Sequence, residues 1–288
     1  MIFQNYVEVK FISLIMKKSS LLTLLIVINL SVCFSQTGIK RQIVVPMNNL
    51  NGVPYSVVEG FLSLDGFEID KAGNFYFLNG NTKSSILVKV KENKFLYRKT
   101  YNGYIGSQLH IFNNNIYVLN YSKNNISVFA TNGSLITRYN HITSENINSY
   151  RFVDSTLVID TLDNSGDLNY ALYSIKGQKI KNISNPYNLP DRVFRNEQAT
   201  GSVLYLGKWN NKYLFWYIDP KRIGYEKFWL VNDDGEVLKT KFFESKQFGT
   251  GYEDFEEFKK LRNGSIFVFG HKGKQGIITE LSPAEMFK

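Results

Sequence analysis

At 288 residues and 43% hydrophobic composition, the chain is long and apolar enough to bury a full core, which excludes a disordered protein. Its 22 Phe and 18 Tyr suit pleated strands, where flat side chains pack across a sheet, better than a helical domain. A single cysteine excludes a disulfide framework, and the formal net charge of +9 makes the chain basic.

The first predicted element is a secretory signal peptide. Lys17 and Lys18 precede an apolar run from Leu21 to Val32, and Cys33, Phe34, Ser35 and Gln36 follow. The run is short for a membrane span, which needs about 20 apolar residues. Met16 is the expected initiator, with cleavage after Ser35. Residues 1–35 are then extension and signal peptide, and residues 36–288 form one domain. Two alternatives stay open: an uncleaved anchor, and a lipid-bearing Cys33 in the lipobox-like Leu30-Ser31-Val32-Cys33. Cleavage after Ser35 removes the one thiol and leaves no transmembrane span. Losing Lys10, Lys17, Lys18 and Glu8 keeps the mature chain basic. In an exported protein that charge points to acidic proteins, anionic polysaccharide or lipid surface rather than nucleic acid.

A lone strand, Gln42-Ile43-Val44-Val45, comes next. From about residue 60 onward, strands recur with polar turns between them. The sharpest recurrence sets Asn74-Phe75-Tyr76-Phe77-Leu78-Asn79 against Asn115-Ile116-Tyr117-Val118-Leu119-Asn120, with similar strands starting at Leu157, Leu214 and Ile266. The steps between them are 41, 41, 57 and 52 residues. Each unit continues through a strand, a tight turn and another strand, as in Ile126–Phe129, Thr131-Asn132-Gly133 and Leu135–Tyr139. Related turns fall at Lys91–Lys94, Lys176–Gln178 and Asp233–Glu236. Four short strands in a unit of about 40 to 50 residues is the period of a propeller blade.

The fold expected is therefore an all-β propeller of five blades, its last blade completed by the N-terminal strand, so that closure removes an exposed edge. A sixth blade is open, because residues 38 to 60 or 184 to 204 have room for a degenerate one, and a β-sandwich is the alternative all-β arrangement. Over roughly residues 60 to 281 these strands and turns make the chain resemble bacterial β-propellers of the NHL-like and periplasmic accessory kind. The resemblance implies a fold and not an activity.

Catalytic constellations are sparse. His110, His141 and His271 have no metal-ligand spacing and are expected to be structural or solvated. Asp163-Asn164-Ser165-Gly166-Asp167 loosely resembles the start of a calcium loop without its distal glutamate, so it is expected to be a turn. Glu253, Asp254, Glu256 and Glu257, interleaved with Tyr252, Phe255 and Phe258, suit a solvated face better than paired glycosidase carboxylates. Trp209, Trp216 and Trp229 are expected to pack within or between blades. No metal or cofactor is expected.

The surface expected to bind a partner is the long connection from about Ser184 to Ser202, with Tyr187, Arg192, Phe194 and Arg195. Lys221, Arg222 and Tyr225 are expected beside it on the same face of the disc. The function expected is a non-enzymatic accessory or protein-binding subunit of a cell-envelope complex, periplasmic or outer-membrane-associated. The alternatives are a propeller enzyme acting on a sugar or lactone, and a secreted module that binds glycan or protein.

Overall fold

A computed structural model describes residues 38–58, 61–120, 122–142, 147–153, 156–163, 165–194, 203–218, 224–249 and 258–288. The chain enters through strand β1 (Ile39–Pro46) and a small hairpin, β2 (Ser56–Val58) with β3 (Phe61–Ser63). Blade one follows as β4 (Gly66–Ile69), β5 (Asn74–Gly80), β6 (Ser84–Lys91) and β7 (Lys94–Asn102). Blade two is β8 (Ser107–Phe112), β9 (Asn115–Asn120), β10 (Asn125–Ala130) and β11 (Leu135–Asn140). Blade three is β12 (Ile147–Val153), β13 (Thr156–Leu162), β14 (Leu168–Ser174) and β15 (Lys179–Ile183).

A single helical turn, α1 (Asp191–Phe194), precedes blade four, which is β16 (Val203–Trp209), β17 (Lys212–Ile218), β18 (Tyr225–Val231) and β19 (Val237–Glu244). Blade five has β20 (Phe258–Arg262), β21 (Ser265–Lys272) and β22 (Gln275–Leu281), and α2 (Pro283–Met286) ends the chain. Its fourth strand is β1, paired antiparallel to β22 from Ile39 opposite Leu281 to Pro46 opposite Gln275. The arrangement is a five-bladed β-propeller closed by the N-terminal strand, as expected. The five recurrent segments all prove to be second strands: β5, β9, β13, β17 and β21. No sixth blade occurs among the described residues.

Second strands are apolar on both faces because both faces are covered. Alternation along β5 turns Phe75 and Phe77 toward blade five, where they meet Phe267 and Phe269, and turns Tyr76 and Leu78 toward Leu109, Ile116 and Val118 of blade two. Full burial of each such ring contributes roughly 1.5–3 kcal/mol. Phe67 completes the first cluster, with ring centroids 5.3 Å from Phe77 and 5.4 Å from Phe269. Blades two and three meet through Tyr117, Leu119, Leu157 and Ile159, and blades four and five through Leu214, Phe228, Ile266 and Val268.

Each blade shares one irregularity. At the start of the fourth strand, the register slips by one residue and a β-bulge forms, just past the turn at Leu96, Ile136, Ile180 and Leu238 and, on the N-terminal strand β1, at Lys40. The bulge kinks the outermost, otherwise unpaired edge.

Candidate functional site

The first strand of each blade lies nearest the propeller axis, and β4 touches both β8 and β20 there. Three of these strands bring charge to the axis. Glu68 on β4 is buried, with its carboxylate 3.4 Å from His110 Nδ1 on β8, 3.6 Å from Lys260 Nζ and 3.6 Å from an Arg262 Nη on β20. One carboxylate oxygen also accepts the Ile69 amide at 3.0 Å. Burial by itself would raise this carboxyl, but Lys260, His110 and Arg262 together outweigh it and hold the group at about 2. Glu68 is therefore an ionised acceptor across the neutral range.

Arg262 also links the innermost strands. Its Nε donates to the Ile69 carbonyl at 2.9 Å and an Nη donates to the Ile111 carbonyl at 3.3 Å, so one side chain on blade five satisfies carbonyls of blades one and two. The His110 ring stacks on Phe152 of β12 at 4.7 Å, which brings blade three into the cluster. Chemically, this is a staple made of a fixed anion, two cations and a stacked imidazole. Lys260 and Arg262 keep part of their side chains exposed.

The sequence-derived partner face is placed differently from expectation. Tyr187 is buried, with its hydroxyl donating to the Val203 carbonyl at 3.0 Å and the Arg151 guanidinium 4.9 Å over its ring. Phe194 is half-buried with its ring 6.3 Å from that of Tyr187. Val193 packs on Tyr213, Phe215 and Val231 of blade four. This part of the connection is a wedge in the seam between blades three and four, because its apolar side chains fill space the sheets leave open. Arg192 is exposed and pairs with Asp234 at 3.2 Å in the β18–β19 turn. Tyr225 begins β18, so the two stand at opposite ends of one strand, about 20 Å apart. Arg195, Lys221 and Arg222 lie outside the described residues, as does the acidic cluster Glu253, Asp254, Glu256 and Glu257.

Other expectations resolve simply. Asp163 accepts the amides of Ser165 and Asp167, both at 2.9 Å, which is a side-chain-capped turn. The Asp167 amide is the main cause holding its carboxyl below the usual range. Trp216 packs between blades four and five, and Trp229 stacks on Tyr217 at 4.8 Å. Sequence reasoning missed Glu68, Lys260 and Arg262. Their signal was a charge inside an apolar first strand, in Gly66-Phe67-Glu68-Ile69, and charges two apart on one strand face, Lys260 and Arg262.

No family model and no curated protein matches the chain. Among solved structures it is similar to a member of the DUF4221 family from Bacteroides vulgatus at 10% identity, covering 85% of this chain and 97% of that one with a TM-score of 0.45. It is also similar to Myxococcus xanthus glutaminyl cyclase at 11% identity, covering 85% and 95% with a TM-score of 0.44. A third is a catalytically inactive virginiamycin B lyase from Staphylococcus aureus with quinupristin, at 9% identity, covering 84% and 99% with a TM-score of 0.45. The resemblance to bacterial β-propellers holds at the level of fold, and the five closed sheets define that fold here; no activity passes from these neighbours.

Proposed function

We propose that the protein is an exported, non-enzymatic propeller that acts by binding, as an accessory subunit of a cell-envelope complex. The observation that carries this reading is the use made of the axial charges. Glu68 is tied to His110 of blade two and to Lys260 and Arg262 of blade five, and Arg262 donates to carbonyls of blades one and two, so these groups serve to join blades. Export is supported by Lys17-Lys18 ahead of the apolar run Leu21 to Val32, and an acidic protein partner is supported by the basic balance of the chain. Among the described members of the sequence-derived binding set, Arg192 is the exposed one.

The test is recovery of a tagged copy from gently solubilised envelopes after mild crosslinking, with identification of what accompanies it by mass spectrometry. One stoichiometric envelope complex is expected, with the mature N-terminus near Gln36. Recovery of the protein alone, or from the cytoplasmic fraction, overturns the reading.

A further inference from the structure

The five edge bulges occupy equivalent places. Four directly follow the turn between the third and fourth strands, and Lys40 sits at the same end of its blade, beside Ile39 where β1 meets the last residue of β22, so all stand toward one end of the disc. Four of them carry a large aliphatic side chain: Leu96, Ile136, Ile180 and Leu238, each 44–55% exposed. Leu135 and Val237 add exposed apolar surface beside two of them. Edge protection explains the bulges but not these residues, since an exposed edge is best blunted by charge, as Lys40 does at the fifth position. Single exposed aliphatics are ordinary; four at the same structural position are a pattern.

Cations are interleaved with them. Lys179, Ile180 and Lys181 are exposed in succession on β15; Lys94 stands two residues before Leu96 and Arg138 two after Ile136, while Lys239, directly after Leu238, is already engaged by the Phe287 and Lys288 carbonyls. Asp233, Asp234 and Glu236 lie beside the fourth bulge, so contact there would rest on Val237 and Leu238, while the first three blades supply positive charge. Rotation about the propeller axis relates the positions, which sets them in a plane. The chain also enters at this end, because Ile39 pairs with Leu281, the last residue of β22.

We propose that this end of the disc docks on an anionic lipid surface, with the bulge aliphatics entering the headgroup layer and the Lys and Arg side chains meeting lipid phosphate. A flat ring of alternating aliphatic and cationic groups fits a flat, negatively charged, apolar-backed surface. Vesicle binding needs no protein partner, so it stands or falls apart from the accessory role.

The test uses the chain from Gly38 onward, which contains all five sheets and their closure. Flotation with phosphatidylglycerol vesicles is compared with flotation on phosphatidylcholine vesicles, at low and high salt. Binding to the anionic vesicles alone is expected, weakened by salt. It should fall at least about ten-fold in a Leu96→Ser, Ile136→Ser, Ile180→Ser, Leu238→Ser variant whose circular dichroism is unchanged. If the fourfold variant misfolds, Lys94→Glu with Lys181→Glu leaves the apolar ring intact and should still lose several-fold. Equal binding to both vesicles, unchanged binding by folded variants, or no binding at all overturns the proposal. So does self-association in place of vesicle binding that these variants abolish, which would make a second copy the occupant.

Discussion

Lys259, on the first strand of blade five, sets its ammonium 3.3 Å from the Glu226 carboxylate of blade four with none of its side chain exposed. The same ammonium lies 3.6 Å from the centroid of the Trp216 ring, whose indole N–H donates to that carboxylate, and the Ser245 hydroxyl donates to the other carboxylate oxygen at 3.2 Å. The cation, its counter-ion and their hydrogen-bond partners form one buried unit across a blade seam.

Removing one partner should cost more than removing both charges. Lys259→Met leaves Glu226 uncompensated and is expected to lower stability by about 3–5 kcal/mol, with part of the loss recovered in Lys259→Met combined with Glu226→Gln. Urea unfolding followed by tryptophan fluorescence reads both; equal losses would show that the pair is not coupled.

The axial carboxylate predicts an acid limb. The folded value of Glu68 is about 2 against 4.5 for the free group, so its contribution is present above about 4.5 and lost as pH falls toward 2. It amounts to something on the order of 3 kcal/mol at full strength. Glu68→Gln should flatten the dependence of urea midpoint on pH across that window. Arg262→Met, which removes one cation from Glu68 and a donor from two carbonyls, should move the limb to higher pH and lower the plateau. A wild-type midpoint that is flat from pH 5 to pH 2 would refute the assignment.

Two glycines separate crowding from backbone preference. Gly106 has φ +135°, and an added Cβ would meet the Leu119 carbonyl oxygen at 2.1 Å; Gly166, at φ +84°, has nothing within 4 Å. Gly106→Ala is expected to cost more than about 2 kcal/mol and Gly166→Ala about 1 kcal/mol. Comparable losses would mean that the close approach beside Leu119 relaxes freely.

Closure by β1 also predicts a failure. A chain beginning at Met47 exposes the edge of β22 and removes Val45 from the cluster shared by blades one and five. Such a chain is expected to oligomerise or precipitate, as light scattering after size exclusion would show; a stable monomer with native melting would mean that closure is dispensable.

Much of the fold was legible because a blade repeats local instructions. Apolar runs such as Asn74–Leu78 and turns such as Thr131-Asn132-Gly133 state strand, reversal and strand within a few residues, and the count of second strands gave the blades. The axial site was less legible because its partners come from different blades, and nothing local tells Glu68 that Lys260 and Arg262 await it. Tyr187 misled for a related reason. A Tyr between Pro186 and Pro190 has the chemistry of a surface loop, and only the gap between blades three and four makes it interior. The bulges were invisible because they are properties of pairing, although an aliphatic just past each turn was their trace.

Joining the first strand to the last sheet orders events in time. Arg41 and Glu280, which pair across that seam, are 239 positions apart. At ordinary synthesis rates the first strand waits roughly 10–50 s for its partner. Until then β1 is an unclaimed strand, and the four completed blades form an open crescent whose two flanks are apolar.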